Sequence, residues 1–126
     1  EIVTLKKEFN KNENIENPNI VKVITDFNDN AIYFSRSAIP YERNSMKNFK
    51  YYKHIGIYGY TSKFLNELKS LKEGILEKIE SLEQLRFIEN GYKIKVLETV
   101  SEVIGVDTEE DLKEVIKYIK ENGIIL

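Results

Sequence analysis

The stretch Lys53-His54-Ile55-Gly56-Ile57-Tyr58-Gly59-Tyr60 constrains this chain more than any other. β-Branched and aromatic side chains dominate it, so it reads as a strand. Gly56 and Gly59 weaken such a strand unless another backbone, or a ligand, has to approach closely. The chain's one histidine, His54, opens the strand, and a run of Lys, Arg and Tyr precedes it. Ligands of α/β proteins collect at strand ends, so this arrangement points to a site there. A core strand with two packing glycines and a surface histidine is the plainer alternative.

The flanking pattern supplies the rest of a sheet. Residues 2–5 begin as a strand, and the Asn- and Glu-rich residues 10–19 read as an exposed loop. Residues 20–25 and 31–35 are apolar and β-rich, and Asp26-Phe27-Asn28-Asp29-Asn30 between them has the chemistry of a hairpin turn. Pro40 is expected to end the second of these strands at Ile39, and residues 41–53 read as a polar, basic and aromatic loop. Phe64, Leu65, Leu68 and Leu71 recur at helical spacing until Gly74. One further helix is predicted over residues 75–90, stopped by Gly91, and then a strand over residues 93–99. A last helix starts at Thr108, with Asp111 at capping-box spacing and Leu112, Val115, Ile116 and Ile119 as its stripe. The expected class is α/β, a mixed sheet with flanking helices.

Composition narrows the function. With 126 residues, 41% of them hydrophobic and 32% charged, the chain is one domain's worth or a piece of a larger domain. It has no cysteine, which excludes a disulfide framework, a thiolate metal site and a cysteine nucleophile. No apolar run approaches the roughly 18 residues of a membrane span, and nothing reads as a signal peptide. The expectation is a cytoplasmic protein with no membrane partner. The formal charge of −2 is segregated: residues 1–35 carry −2, residues 36–66 carry +5 and residues 67–126 carry −5. A basic block in an acidic protein favours an anionic small ligand over nucleic acid; a solvated loop is the alternative. The start at Glu1, directly on a strand, reads as a fragment.

Several stretches, taken in order, carry a resemblance. They are 17–23 (Asn-Pro-Asn-Ile-Val-Lys-Val), 31–40 (Ala-Ile-Tyr-Phe-Ser-Arg-Ser-Ala-Ile-Pro) and 54–60 (His-Ile-Gly-Ile-Tyr-Gly-Tyr). Leu76-Glu77, residues 80–86 (Glu-Ser-Leu-Glu-Gln-Leu-Arg) and residues 105–112 (Gly-Val-Asp-Thr-Glu-Glu-Asp-Leu) complete the set. Each is weak alone; in this order and spacing they closely resemble the 3-deoxy-manno-octulosonate cytidylyltransferases, the CMP-Kdo synthetases of lipopolysaccharide assembly. Glu42 and Thr61 depart from the pattern, outside the proposed contacts. The resemblance covers nearly the whole chain and about the C-terminal half of such enzymes. It implies a nucleotide-diphospho-sugar transferase-like fold of which residues 1–126 are the sugar-binding and dimerisation part, the nucleotide-binding half being absent from this chain.

The activity implied is transfer of CMP from CTP to Kdo, releasing pyrophosphate, with Mg²⁺ and in a homodimer. The anomeric hydroxyl of Kdo would attack the α-phosphorus of CTP. Catalysis would work by positioning and charge, and no nucleophilic triad is visible. The chain by itself is expected to be inactive. By resemblance Arg36 and Arg43 belong to the Kdo-binding set, and a guanidinium suits the sugar carboxylate as a two-pronged donor. His54 and Tyr58, four apart on one strand face, and Glu83 and Gln84 would meet the sugar hydroxyls. Adjacent helical residues diverge, so Glu83 and Gln84 are expected near a helix start or rim. Asp107 matches the family's Mg²⁺ ligand. Magnesium takes few carboxylates beside phosphate oxygens and water, so a second acid from the other half fits. A cytidylyltransferase for another acidic sugar, or a non-catalytic sugar-binding or dimerisation module, is the competing reading.

Overall fold

The computed structural model describes residues 1–100, 108–121 and 123. Among these, five strands form one mixed sheet in the order β3-β2-β4-β1-β5. The strands are β1 (Ile2–Glu8), β2 (Lys22–Thr25), β3 (Ala31–Ser35), β4 (Tyr52–Tyr60) and β5 (Ile94–Glu98). Helices α1 (Ser62–Glu67), α2 (Ile75–Glu80) and α3 (Leu85–Glu89) lie between β4 and β5, and α4 (Glu109–Glu121) comes last. Strand β1 pairs antiparallel with β4 on one side and parallel with β5 on the other. The predicted hairpin is β2–β3. Its turn closes on Asp26, whose Oδ1 accepts the N–H groups of Asn28 and Asn30, both at 2.9 Å, while Asp29 takes a φ of 63°.

Period-two alternation decides which strand faces are buried. Ile2 and Thr4 on β1 and Ile94 and Val96 on β5 are buried, while Val3 and Leu97 on the opposite face stay exposed. The buried face meets Phe34, Phe64, Leu82, Leu85 and Phe87 to form the core. Phe64 is its aromatic centre. Its ring stacks on Tyr60 at 5.6 Å and meets Phe87 at 5.4 Å and Tyr92 at 5.0 Å edge-on.

Three local expectations change. The predicted helix over residues 75–90 is two helices, broken where Ser81 adopts a left-handed φ of 54°. Leu82 and Leu85 are both buried, so the apolar period runs on through a turn that is not helical. Arg36 holds the break: its Nε donates to the carbonyl of Glu80 at 2.7 Å and its NH2 to that of Ser81 at 3.2 Å. Strand β3 ends at Ser35 and does not reach Ile39. There the Ser35 hydroxyl (2.5 Å) and the Arg36 N–H (3.0 Å) turn to the Glu80 carboxylate and take the chain off the sheet.

In β4 the glycines answer to a different cause. Thr4 pairs with Tyr58 but Leu5 pairs with Ile55, so Gly56 and Ile57 form a bulge. A Cβ at Gly56 or Gly59 would meet nothing within 4 Å, so no described backbone needs the room. Gly74 does answer to close approach. A Cβ there would lie 2.1 Å from the Glu89 carboxylate, which accepts the Leu76 and Glu77 N–H groups (3.2 and 3.0 Å) at the start of α2. Arg86 then forks onto Glu77, Nε to Oε1 at 2.8 Å and NH2 to Oε2 at 2.7 Å, joining α3 to α2. The capping box of α4 forms as expected, with Thr108 and Asp111 exchanging hydrogen bonds of 3.1 Å.

Candidate functional site

The bulge inserts two residues into β4, an even number, so His54 and Tyr58 still face the same way. Their rings lie 5.5 Å apart, and the edge of Phe34 meets His54 at 4.8 Å. Opposite them the turn after Ser81 delivers Gln84, whose Nε2 comes within 3.5 Å of His54 Nδ1. Gln84 is buried and Glu83 beside it is exposed, at the entry to α3. Both precede the helix, which is how adjacent residues can serve one place.

Burial sets the protonation states. His54 is lowered to about 4 by desolvation, so at neutral pH it is an uncharged ring and no acid. Tyr58 is pushed well above the usual tyrosine value, first by burial and then by Tyr60 and the Glu83 charge. It therefore keeps its O–H as a donor. Tyr60 is raised by burial and by the Glu83 charge as well. His54, Tyr58 and Gln84 thus come together, and the exposed Glu83 is carried by the same turn.

The arginines divide. Arg36 is committed to backbone: besides the Glu80 and Ser81 carbonyls, its NH1 donates to the Pro18 carbonyl at 2.9 Å. The side chain ties the turn carrying Glu83 and Gln84 to the β2–β3 hairpin. Glu80 completes the tie. Burial opposes its ionisation, but bonds from Ser35, the Arg36 N–H and Tyr33, with the Arg36 charge, hold its carboxyl below the ordinary value. Arg43 stands exposed in the loop between β3 and β4 and is not drawn to the His54 group. Asp107 lies outside the described residues.

Two residues escaped the sequence reading. Lys22 is fully buried, and its ammonium donates to the carbonyls of Asn17, Ile20 and Arg36 at 2.8, 2.7 and 2.6 Å. A lone lysine in the apolar run 20–24 was its only signal. Thr4, on β1, places its hydroxyl 2.9 Å from His54 Nε2. A hydroxyl on the buried parity of the apolar run 2–5 was the corresponding sign. A separate hollow of about 330 Å³, lined by Lys6, Val23, Pro40, Phe49 and Tyr52 among others, contains none of the predicted contacts.

Comparison with known proteins settles the lineage. Residues 1–94 match the family model described as Cytidylyltransferase. The chain belongs to the cytidylyltransferase family. This cytidylyltransferase chain is 59% identical over 123 residues to a 3-deoxy-manno-octulosonate cytidylyltransferase of Fusobacterium nucleatum, covering 98% of itself and 50% of that protein. It is 49% identical over 117 residues to one of Solibacter usitatus, covering 93% of itself and 46% of the relative. A solved structure of CMP:2-keto-3-deoxy-manno-octonic acid synthetase complexed with CTP superposes with a TM-score of 0.88 at 37% identity, over 96% of this chain and 49% of that one. The fold is therefore of the nucleotide-sugar transferase type, and the chain spans about half the length of the curated relatives it matches.

Proposed function

We propose that these residues are the sugar-binding and dimerisation part of a cytoplasmic, homodimeric enzyme that transfers CMP from CTP to 3-deoxy-D-manno-octulosonate, releasing pyrophosphate. The observation that carries this is the meeting of His54, Tyr58 and Gln84 on one face of β4 across its bulge, with Glu83 carried by the same turn as Gln84. A neutral ring, a phenol locked as a donor, an amide and a carboxylate make a set of mixed donors and acceptors suited to a polyhydroxylated ligand. The names and CTP complex of the similar proteins support that substrate pair. The exposed apolar face at Val3 and Leu97 supports a further covering half.

The sugar carboxylate falls to Arg43 in this reading. A guanidinium has five N–H donors, and three of those on Arg36 are already spent on backbone carbonyls, so it has less to offer a carboxylate than the exposed Arg43. Arg36 contributes by fixing the turn that carries Glu83 and Gln84. Among the described residues no group of three His, Asp or Glu side chains could hold a metal. The Mg²⁺ implied by the resemblance would be held by Asp107 together with groups beyond this chain.

The test is pyrophosphate release with CTP and Kdo, on the complete native protein and on residues 1–126 alone. Turnover by the complete protein and none by the shorter chain is expected. No turnover by the complete protein, or a preference for neuraminate in competition, overturns the substrate. Light scattering showing a monomer removes the homodimer.

A further inference from the structure

We propose that Thr4 is a positioning residue that holds His54 in one tautomer, protonated at Nε2 and accepting at Nδ1. The Thr4 hydroxyl oxygen lies 2.8 Å from the Ile57 carbonyl, 3.2 Å from the Ile55 carbonyl and 2.9 Å from His54 Nε2. Carbonyl oxygens only accept, so contacts this short need the single Thr4 proton between the oxygens. With that proton committed, the Thr4 oxygen can only accept from His54, and Nε2 must carry the hydrogen. A neutral imidazole has one N–H, so Nδ1 is left with its lone pair.

The direction then propagates. Facing a lone pair, Gln84 must present its amide nitrogen, and this is the atom found 3.5 Å from Nδ1. The donors run one way, from Gln84 to His54 to Thr4 to the Ile57 carbonyl, and the oxygen of the Gln84 amide is left as the acceptor offered to a ligand hydroxyl. The β4 bulge is what makes this possible, because it turns the Ile55 and Ile57 carbonyls toward one β1 side chain. Valine has the same shape as threonine but would leave both the carbonyl and the imidazole without direction.

The link to substrate rests on the sugar-site reading above; the tautomer does not. In the complete native protein, ¹⁵N spectra of labelled histidine, with the His54 signals identified by their loss in His54→Gln, should show Nε2 protonated and Nδ1 bare. Thr4→Val should shift or mix the tautomers, and Thr4→Ser should restore the native pattern. Thr4→Val should also raise the KM for the sugar about tenfold, the loss of roughly one hydrogen bond, with the KM for CTP unchanged. A native protein protonated at Nδ1, which needs no variant to fold, overturns the proposal, as does an unaltered tautomer in Thr4→Val. A His54→Gln variant with unchanged sugar KM overturns the sugar-site reading instead, whatever the tautomer.

Discussion

Acidification tests the buried imidazole most directly. His54 falls from 6.5 to about 4 through burial. The folded state therefore binds fewer protons than the unfolded state between these values, and stability must fall as pH is lowered through that window. At about 1.4 kcal/mol per unit, the full span is worth roughly 3 kcal/mol, of which about 2 kcal/mol is gone by around pH 5. The structural reason is specific. A second proton would sit on Nδ1, against the Gln84 amide nitrogen, setting donor against donor. The assay is urea unfolding at about pH 7.5 and pH 5 for the native protein and His54→Gln, which cannot titrate. Glu13 and Glu80, both held below the ordinary carboxylate value, also lose stability in acid, but they cancel in the difference between the two proteins. That difference should move by about 2 kcal/mol between the two pH values. Parallel pH profiles would refute a buried, neutral His54, and so would an imidazole titrating near 6.5 by NMR.

Other expectations are simpler. Phe64→Ala removes the centre of the aromatic cluster and should cost about 3–5 kcal/mol in denaturant unfolding. Thr108→Ala breaks the capping box of α4 and should cost about 1 kcal/mol, with helix loss visible by circular dichroism. Arg36→Lys replaces a rigid planar guanidinium, which spans the carbonyls of residues 18, 80 and 81 from three nitrogens, with a single-point ammonium, so it should loosen the turn at Ser81. We expect the sugar KM to rise by about tenfold or more while the KM for CTP holds. Arg43→Lys should impair the sugar without lowering the unfolding midpoint, since Arg43 is exposed. A fall in stability equal to that of Arg36→Lys would contradict the division of roles between the two arginines.

Strands, hairpin and last helix were legible because they rest on local rules: β-rich apolar runs at residues 2–5, 20–25 and 31–35, turn chemistry at residues 26–30, a capping box at Thr108. The family resemblance also lay in ordered local stretches, and the family match bears it out. What the chain alone could not display was the direction in which long polar side chains are spent. Arg36 suits a carboxylate by chemistry, yet its three bonds go to carbonyls of residues 18, 80 and 81, which only tertiary folding brings near. The same holds for the helix broken at Ser81, where the apolar period continues unbroken and a distant guanidinium supplies the stop. Thr4 and Lys22 are single letters in apolar runs; the partners of Thr4 lie 50 or more residues away in sequence, and Lys22 joins its two local carbonyls to one 14 residues away. Apolar patterning is a property of neighbours along the chain, and it determined the sheet and its buried face. Hydrogen-bond satisfaction is a property of neighbours in space, because a buried donor must take whichever acceptor the fold presents, and that decided which polar groups remain free to meet a ligand.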